Sequence, residues 1–162
     1  MKREIVILGV GNLLMSDDGV GVHAAQALAL KPPPGAEVVD AGTDVLSTLP
    51  FLEKASHALI IDAVRAGGIP GTLLSLSEND LSVRTGTPTA HAINLLASRH
   101  LLPPDATWPE VLVLGVEPER LDYGMTLSPA VAATLPQIEQ RCREIVASWN
   151  NESLHSQPGR YA

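Results

Sequence analysis

The sequence holds a single cysteine, Cys142. An internal disulfide is therefore excluded, the fold has no need of an oxidising compartment, and a cytoplasmic location is expected. Basic residues are also few: 11 lysines and arginines stand against 18 acidic residues, a net charge of -7. Such a balance repels a phosphate backbone and argues against nucleic acid as a partner. No apolar run reaches the ~20 residues of a spanning helix, so no membrane partner is expected. The start, Met1-Lys2-Arg3 with an apolar stretch from Ile5 to Met15, has the outline of a secretion signal. Glycines and Asn12 interrupt it, and Ser16-Asp17-Asp18 stands where small residues would flank a cleavage site. Nucleophile motifs are missing too. There is no Gly-x-Ser-x-Gly elbow and no His-Glu-x-x-His, and Cys142 falls on the packing stripe of a helix, which argues against a serine or cysteine protease.

What is present is ample core material: 45% of the 162 residues are apolar and only 18% charged. That length suits one domain, expected over residues 1–149, with a polar tail over 150–162 that lacks an apolar period and is expected to be disordered. Short apolar runs alternate with helix-like segments, the pattern of buried strands joined by helices. Strands are expected at Glu4–Leu8, Glu37–Asp40, Ala58–Asp62, Thr72–Leu76 and Glu110–Leu114, and helices at Val20–Leu30, Asp44–Ala55, His91–Leu101 and Pro129–Trp149. Only residues 63–71 separate the third and fourth strands. A parallel crossover needs about a dozen residues or more, so the fourth strand should run antiparallel to its neighbour. The last helix has Ser128 as cap and Pro129 at its first position, with a stripe from Val131 through Leu135, Ile138, Cys142 and Ile145 to Trp149. Pro136 inside it should cause a kink. The expected fold is α/β: one three-layer sandwich with a mostly parallel, twisted five-stranded sheet, one antiparallel edge strand and helices on both faces.

Three places carry candidate chemistry. The first is the loop from Gly9 through Gly11, Asn12, Asp17 and Asp18 to Gly21, directly after a buried strand. A dinucleotide fingerprint would want glycine where Leu14 stands, and two carboxylates before the helix would repel a phosphate. One aspartate is explained as a helix cap, but not both. The second is Asp62, at the end of the apolar strand Ala58–Asp62. A carboxylate there must be paired, hydrogen-bonded or metal-bound. Satisfaction by loop amides is the structural alternative, yet the carboxyl ends of such strands are where ligands bind. Asp40, followed by Ala41 and Gly42, ends the second strand in the same manner and reads as a turn or as the cap of the next helix. The third is His91, where a loop feeds an amphipathic helix. It is the one histidine able to return to the carboxyl edge of the sheet. If the first and third strands are neighbours, about 4.8 Å apart, then Asp18 and Asp62 project side by side and His91 closes a triangle. Two carboxylates and an imidazole suit nickel, zinc or a similar divalent ion such as cadmium.

Taken together, the Gly9–Gly21 loop, Leu59–Asp62 followed by Pro70-Gly71-Thr72, the Pro88–His91 segment, and Gly115–Glu119 leading to Leu127-Ser128-Pro129 resemble the hydrogenase maturation endopeptidases, which process the [NiFe]-hydrogenase large subunit. The resemblance runs from about Ile5 to Val146. It implies that Asp18, Asp62 and His91 form the metal-recognising and catalytic set, with Gly9, Gly11, Asn12, Asp17 and Gly42 supporting them. It further implies nickel carried in by a precursor and removal of that precursor's C-terminal extension; a monomer is expected. Some relatives have glutamate in place of Asp18, and a glycine after the histidine where this chain has Ile93-Asn94. Rival readings are a metal-dependent hydrolase of small substrates, a non-catalytic nickel-site chaperone of the same precursor, and a nucleotide-binding module.

Overall fold

The computed structural model describes residues 4–83 and 90–155. Five strands, β1 (Ile5–Val10), β2 (Ala36–Gly42), β3 (His57–Ala63), β4 (Leu73–Ser77) and β5 (Glu110–Val116), form one sheet in the order β2-β1-β3-β5-β4. The first three pairings are parallel, and β4 runs antiparallel to β5 at the edge, as the short connection after β3 requires. The helices are α1 (Val20–Leu30), α2 (Leu49–Lys54), α3 (Glu78–Val83), α4 (Ala90–Ala97), α5 (Pro129–Ala132) and α6 (Leu135–His155).

The strand alternation builds two cores. Ile5, Ile7, Leu59, Ile61 and Ala63 join residues of α1 and α6, including Leu28, Ile138 and Cys142, on one face. Val6, Leu8, Val10, Ala58 and Ile60 join Leu52 of α2 and Leu95 of α4 on the other. Since successive side chains on a strand point to opposite faces, Asp62 lies on the face of Ala58 and Ile60, the side on which α4 packs.

Three expectations need correction. Pro136 does not kink one long helix. Its ring and missing N–H end the helical run at Ala132, and a new helix begins at Leu135, where Pro136 sits harmlessly in the first turn. The apolar stripe nevertheless stays continuous, because Val131, Ile138, Cys142, Ile145 and Trp149 occupy the same core. The last helix, expected to end at Trp149, continues as α6 to His155. Asn150 Nδ2 donates to the Pro34 carbonyl at 2.9 Å, tying the first of these polar residues to the turn before β2. The helix expected over 44–55 opens instead as a short 3-10 turn, Leu46–Thr48, and α2 begins at Leu49 with Pro50 in its first turn. Helix α3 was not anticipated. Asp80 Oδ2 accepts from the Ser77 N–H at 2.9 Å and Ser77 Oγ from the Asp80 N–H at 3.2 Å, a reciprocal pair that starts the turn.

Candidate active site

The loop after β1 is built by close backbone packing. A Cβ at Gly21 would stand 2.1 Å from the Ile61 carbonyl oxygen, and one at Gly9 would stand 2.2 Å from that of Gly21. Helix α1 therefore rides directly on β1 and β3. Gly11 has φ +136 and would place a Cβ 2.0 Å from the Asp18 carbonyl. Its N–H donates to the Gly42 carbonyl at 2.9 Å, joining the loops after β1 and β2. Asn12 closes the loop twice: its side-chain oxygen accepts from Leu14 N–H at 2.9 Å, and its own N–H donates to Asp18 Oδ2 at 3.0 Å.

The adjacent aspartates go opposite ways. Asp17 is wholly buried. Its Oδ2 accepts from Glu119 N–H (2.9 Å), Arg120 N–H (3.0 Å) and Ser128 Oγ (2.8 Å), and its Oδ1 accepts from Ser128 N–H (2.7 Å). Burial alone pushes this carboxyl up, but the donors of Arg120, Ser128 and Glu119 outweigh it and hold it below the usual aspartate value. The helix-cap reading of Asp17 does not hold. The N-terminus of α1 has no side-chain cap, and the four hydrogen bonds that fill the Asp17 carboxylate come from Glu119, Arg120 and Ser128.

Asp18 turns the other way, to His91. Its Oδ2 lies 3.0 Å from His91 Nε2, across 73 residues of sequence. Both side chains keep a little solvent contact, 22% for His91 and 13% for Asp18. The hydrogen bond to Asp18 raises the pKa of His91. Burial opposes the rise, and the charges of Asp18 and Asp62 add to it. Asp62 is fully buried, and its Oδ1 accepts from the Ala63 N–H at 2.8 Å. That donor is the amide of the next residue of β3 rather than a loop amide, and Asp62 also acts on His91 through its charge. His91 stands one turn before Leu95, which packs into the α4-side core, so the helix face that anchors α4 also carries the imidazole towards Asp62. Among the described residues, no group of three histidine, cysteine or carboxylate side chains is placed to hold a metal ion by itself. Thr87, Pro88 and Thr89, part of the segment leading to His91, lie outside the described residues.

Other candidates resolve simply. Asp40 caps no helix; its Oδ2 accepts from Gln26 Nε2 at 3.1 Å, and Asp44 itself accepts from Ser47 N–H. The Cys142 thiol is buried and pushed up to about 12, chiefly by desolvation, which removes it as a nucleophile. Sequence reasoning missed Glu117. It is buried, and its Oε2 accepts from Ala66 N–H at 2.7 Å, fastening the loop that follows Asp62. Its one signal was a carboxylate directly after the apolar run Val111–Val116. The tie between Asp17 and Ser128 left no local signal at all.

A family model described as HycI, hydrogenase maturation protease, matches residues 22–145. The hydrogenase expression/formation protein HupD of Rhodobacter capsulatus is 32% identical over 159 residues, covering 93% of this chain and 74% of that one. The hydrogenase 2 maturation protease of Escherichia coli K12 is 32% identical over 143 residues, covering 85% and 87%. Among solved structures, the hydrogenase maturating endopeptidase HybD from E. coli superposes with a TM-score of 0.77 at 27% identity, covering 93% of this chain and 94% of that one. The [NiFe] hydrogenase maturation protease HybD from Thermococcus kodakarensis gives 0.75 at 28%, covering 88% and 99%. A match that spans most of the chain, in sequence and in fold, places this protein in the hydrogenase maturation protease family, as an endopeptidase.

Proposed function

We propose that this endopeptidase removes the C-terminal extension of a [NiFe]-hydrogenase large-subunit precursor in the cytoplasm, acting as a monomer and recognising nickel already seated in its substrate through Asp18, Asp62 and His91. The observation that carries this reading is the 3.0 Å contact between His91 Nε2 and Asp18 Oδ2, with the Asp62 charge close enough to strengthen the imidazole's hold on its proton. Carboxylate oxygens and an imidazole nitrogen form a donor set that fits a divalent ion of borderline hardness, zinc and cadmium as well as nickel. The described residues do not close into a complete three-donor cage, which suits an ion that arrives with further ligands from the precursor.

Within this reading the chain's own groups have separate tasks. Asp18 orients the His91 ring by accepting at Nε2. A ligating imidazole nitrogen must give up its proton, so His91 would hold the substrate's nickel through Nε2 once that proton had passed to solvent. Asp62, held by the Ala63 amide, supplies fixed negative charge beneath the cation. A cation held there would supply Lewis acidity toward the scissile carbonyl or a water molecule. Asp17 takes no part in bond cleavage and fixes the loop from below.

The test is mass-spectrometric measurement of tail length after mixing purified precursor with the enzyme, with and without nickel. Cleavage is expected only of nickel-loaded precursor, and Asp62→Ala should slow it by roughly a hundredfold or more. Unchanged cleavage by that variant would remove Asp62 from the mechanism. Precursor bound but left at full length would favour the chaperone reading.

A further inference from the structure

The loop of residues 119–128 does more than anchor Asp17. Met15 and Gly124 form a parallel bridge: Ser16 N–H donates to the Gly124 carbonyl at 2.8 Å, and Gly124 N–H donates to the Leu14 carbonyl at 3.0 Å. The pairing is tight, since a Cβ at Gly124 would come 2.7 Å from Ser16 Oγ, and Ser16 itself takes a left-handed φ of 50. Ser16 Oγ also donates to the Asp122 carbonyl at 2.8 Å. Three large apolar side chains ride on this double loop, and all face solvent: Tyr123 is 85% exposed, Met125 74% and Leu14 53%.

This reverses the usual arrangement of a solvated loop. The polar groups are turned inward to hold the loop, and the apolar ones are presented outward. Of the eight large apolar side chains exposed among the described residues, these three meet on one backbone bridge, whereas Leu30 and Leu101 stand singly at helix ends. The loop offers no cation to an acidic partner, because the Arg120 guanidinium is closed on Asp122 by bonds of 2.8 and 2.9 Å. Clustered apolar exposure on a held surface marks a binding site. The patch sits on the two loops that build the active site: Leu14 lies in the loop that Asn12 N–H closes onto the Asp18 carboxylate, and Tyr123 and Met125 lie in the segment that holds Asp17.

We propose that Leu14, Tyr123 and Met125 form the docking surface for an apolar stretch of the precursor polypeptide next to the cleaved bond. This rests on the assignment of Asp18, Asp62 and His91 as the place where the precursor is cut. Aromatic and methionine side chains suit the role, offering large contact area and adaptable shape.

The experiment measures binding and cleavage separately, with the full chain and purified nickel-loaded precursor. The triple variant Leu14→Ser, Tyr123→Ser, Met125→Ser should bind the precursor about a hundredfold more weakly. KM should rise while kcat changes little, because the contacts act on ground and transition states alike. Met125→Ser alone should lose about fivefold, which keeps the test open if the triple variant folds poorly. Leu30→Ser, equally exposed but at the far end of α1, should bind as the parent does. A triple variant within twofold of the parent affinity, or a parent that does not bind the precursor, overturns the proposal. If the parent binds through these residues but leaves the tail intact, the docking surface stands and the cleavage reading falls.

Discussion

The two edges of the sheet are finished in opposite ways. At the amino edge, charge and aromatic groups close on one another. His57 packs its ring 4.8 Å from that of Trp149 and reaches Glu110 at 3.3 Å, while Trp108 donates to Glu78 at 2.7 Å beneath the Arg99 guanidinium. A groove of about 380 Å³ opens there, lined by Glu78, Arg99, Glu110 and Trp149 among others, but those side chains already serve one another. At the carboxyl edge one carboxylate, Asp17, is consumed by structure, and the next residue is thereby left to face a histidine. Apolar side chains remain uncovered beside it. A groove thus lies at one edge and the paired carboxylate and imidazole at the other, and the chemistry decides, because Asp18 and His91 keep solvent contact while bonded to each other.

That contrast breaks most visibly at Asp17. Asp17→Ala strands the buried donors of Ser128 and the partly buried amides of Glu119 and Arg120, and should lower unfolding free energy by about 3 kcal/mol in urea titrations, with loss of cleavage. Acid should expose the same dependence. A carboxyl whose folded pKa is depressed stabilises fully above its unfolded value of about 3.9 and loses that contribution as pH falls through the folded value. Asp17→Asn should therefore flatten the acid limb of a stability-versus-pH curve below about pH 4, while the parent falls steeply there. Cys142→Ala, in the core shared with α1 and α6, should lose roughly 1–2 kcal/mol yet cut precursor at the parent rate. The native thiol should also resist alkylation at pH 8. Glu110→Gln at the amino edge should change stability by less than about 0.5 kcal/mol and cleavage not at all, since Glu110 is largely exposed. A large effect there would erase the distinction between the edges.

Much of this was legible in the chain because it depends on short-range pattern. The five strands, the limits of α1 and the reversed direction of β4 follow from apolar runs, the prolines after α1 and the brevity of residues 63–71. Asp62 could be singled out as a carboxylate in an apolar strand, Asp18 as one of two aspartates where a cap explains only one, and His91 as the histidine whose segment can return to the carboxyl edge. The parts that escaped are long-range or compensated. Nothing near Asp17 reveals that its acceptors are filled by residues 102 to 111 positions away. The break between α5 and α6 hides behind an unbroken apolar stripe, and the extension of α6 rests on Asn150 meeting the Pro34 carbonyl, a contact no periodicity reports. Tyr123 and Met125 sit in a stretch without period, where exposure is decided by which polar groups are needed inside.

The dependence of Asp17 on residues 119–128 has a consequence for when the protein becomes competent. Contacts of such sequence separation form late, after the intervening strands have paired. A growing chain that has released Asp18, Asp62 and His91 from the ribosome still lacks the clamp that aims the first of them. Peptide-bond cutting should therefore switch on only once the segment before α5 has been synthesised and has docked, which guards a half-made protease from acting on whatever chain lies nearby.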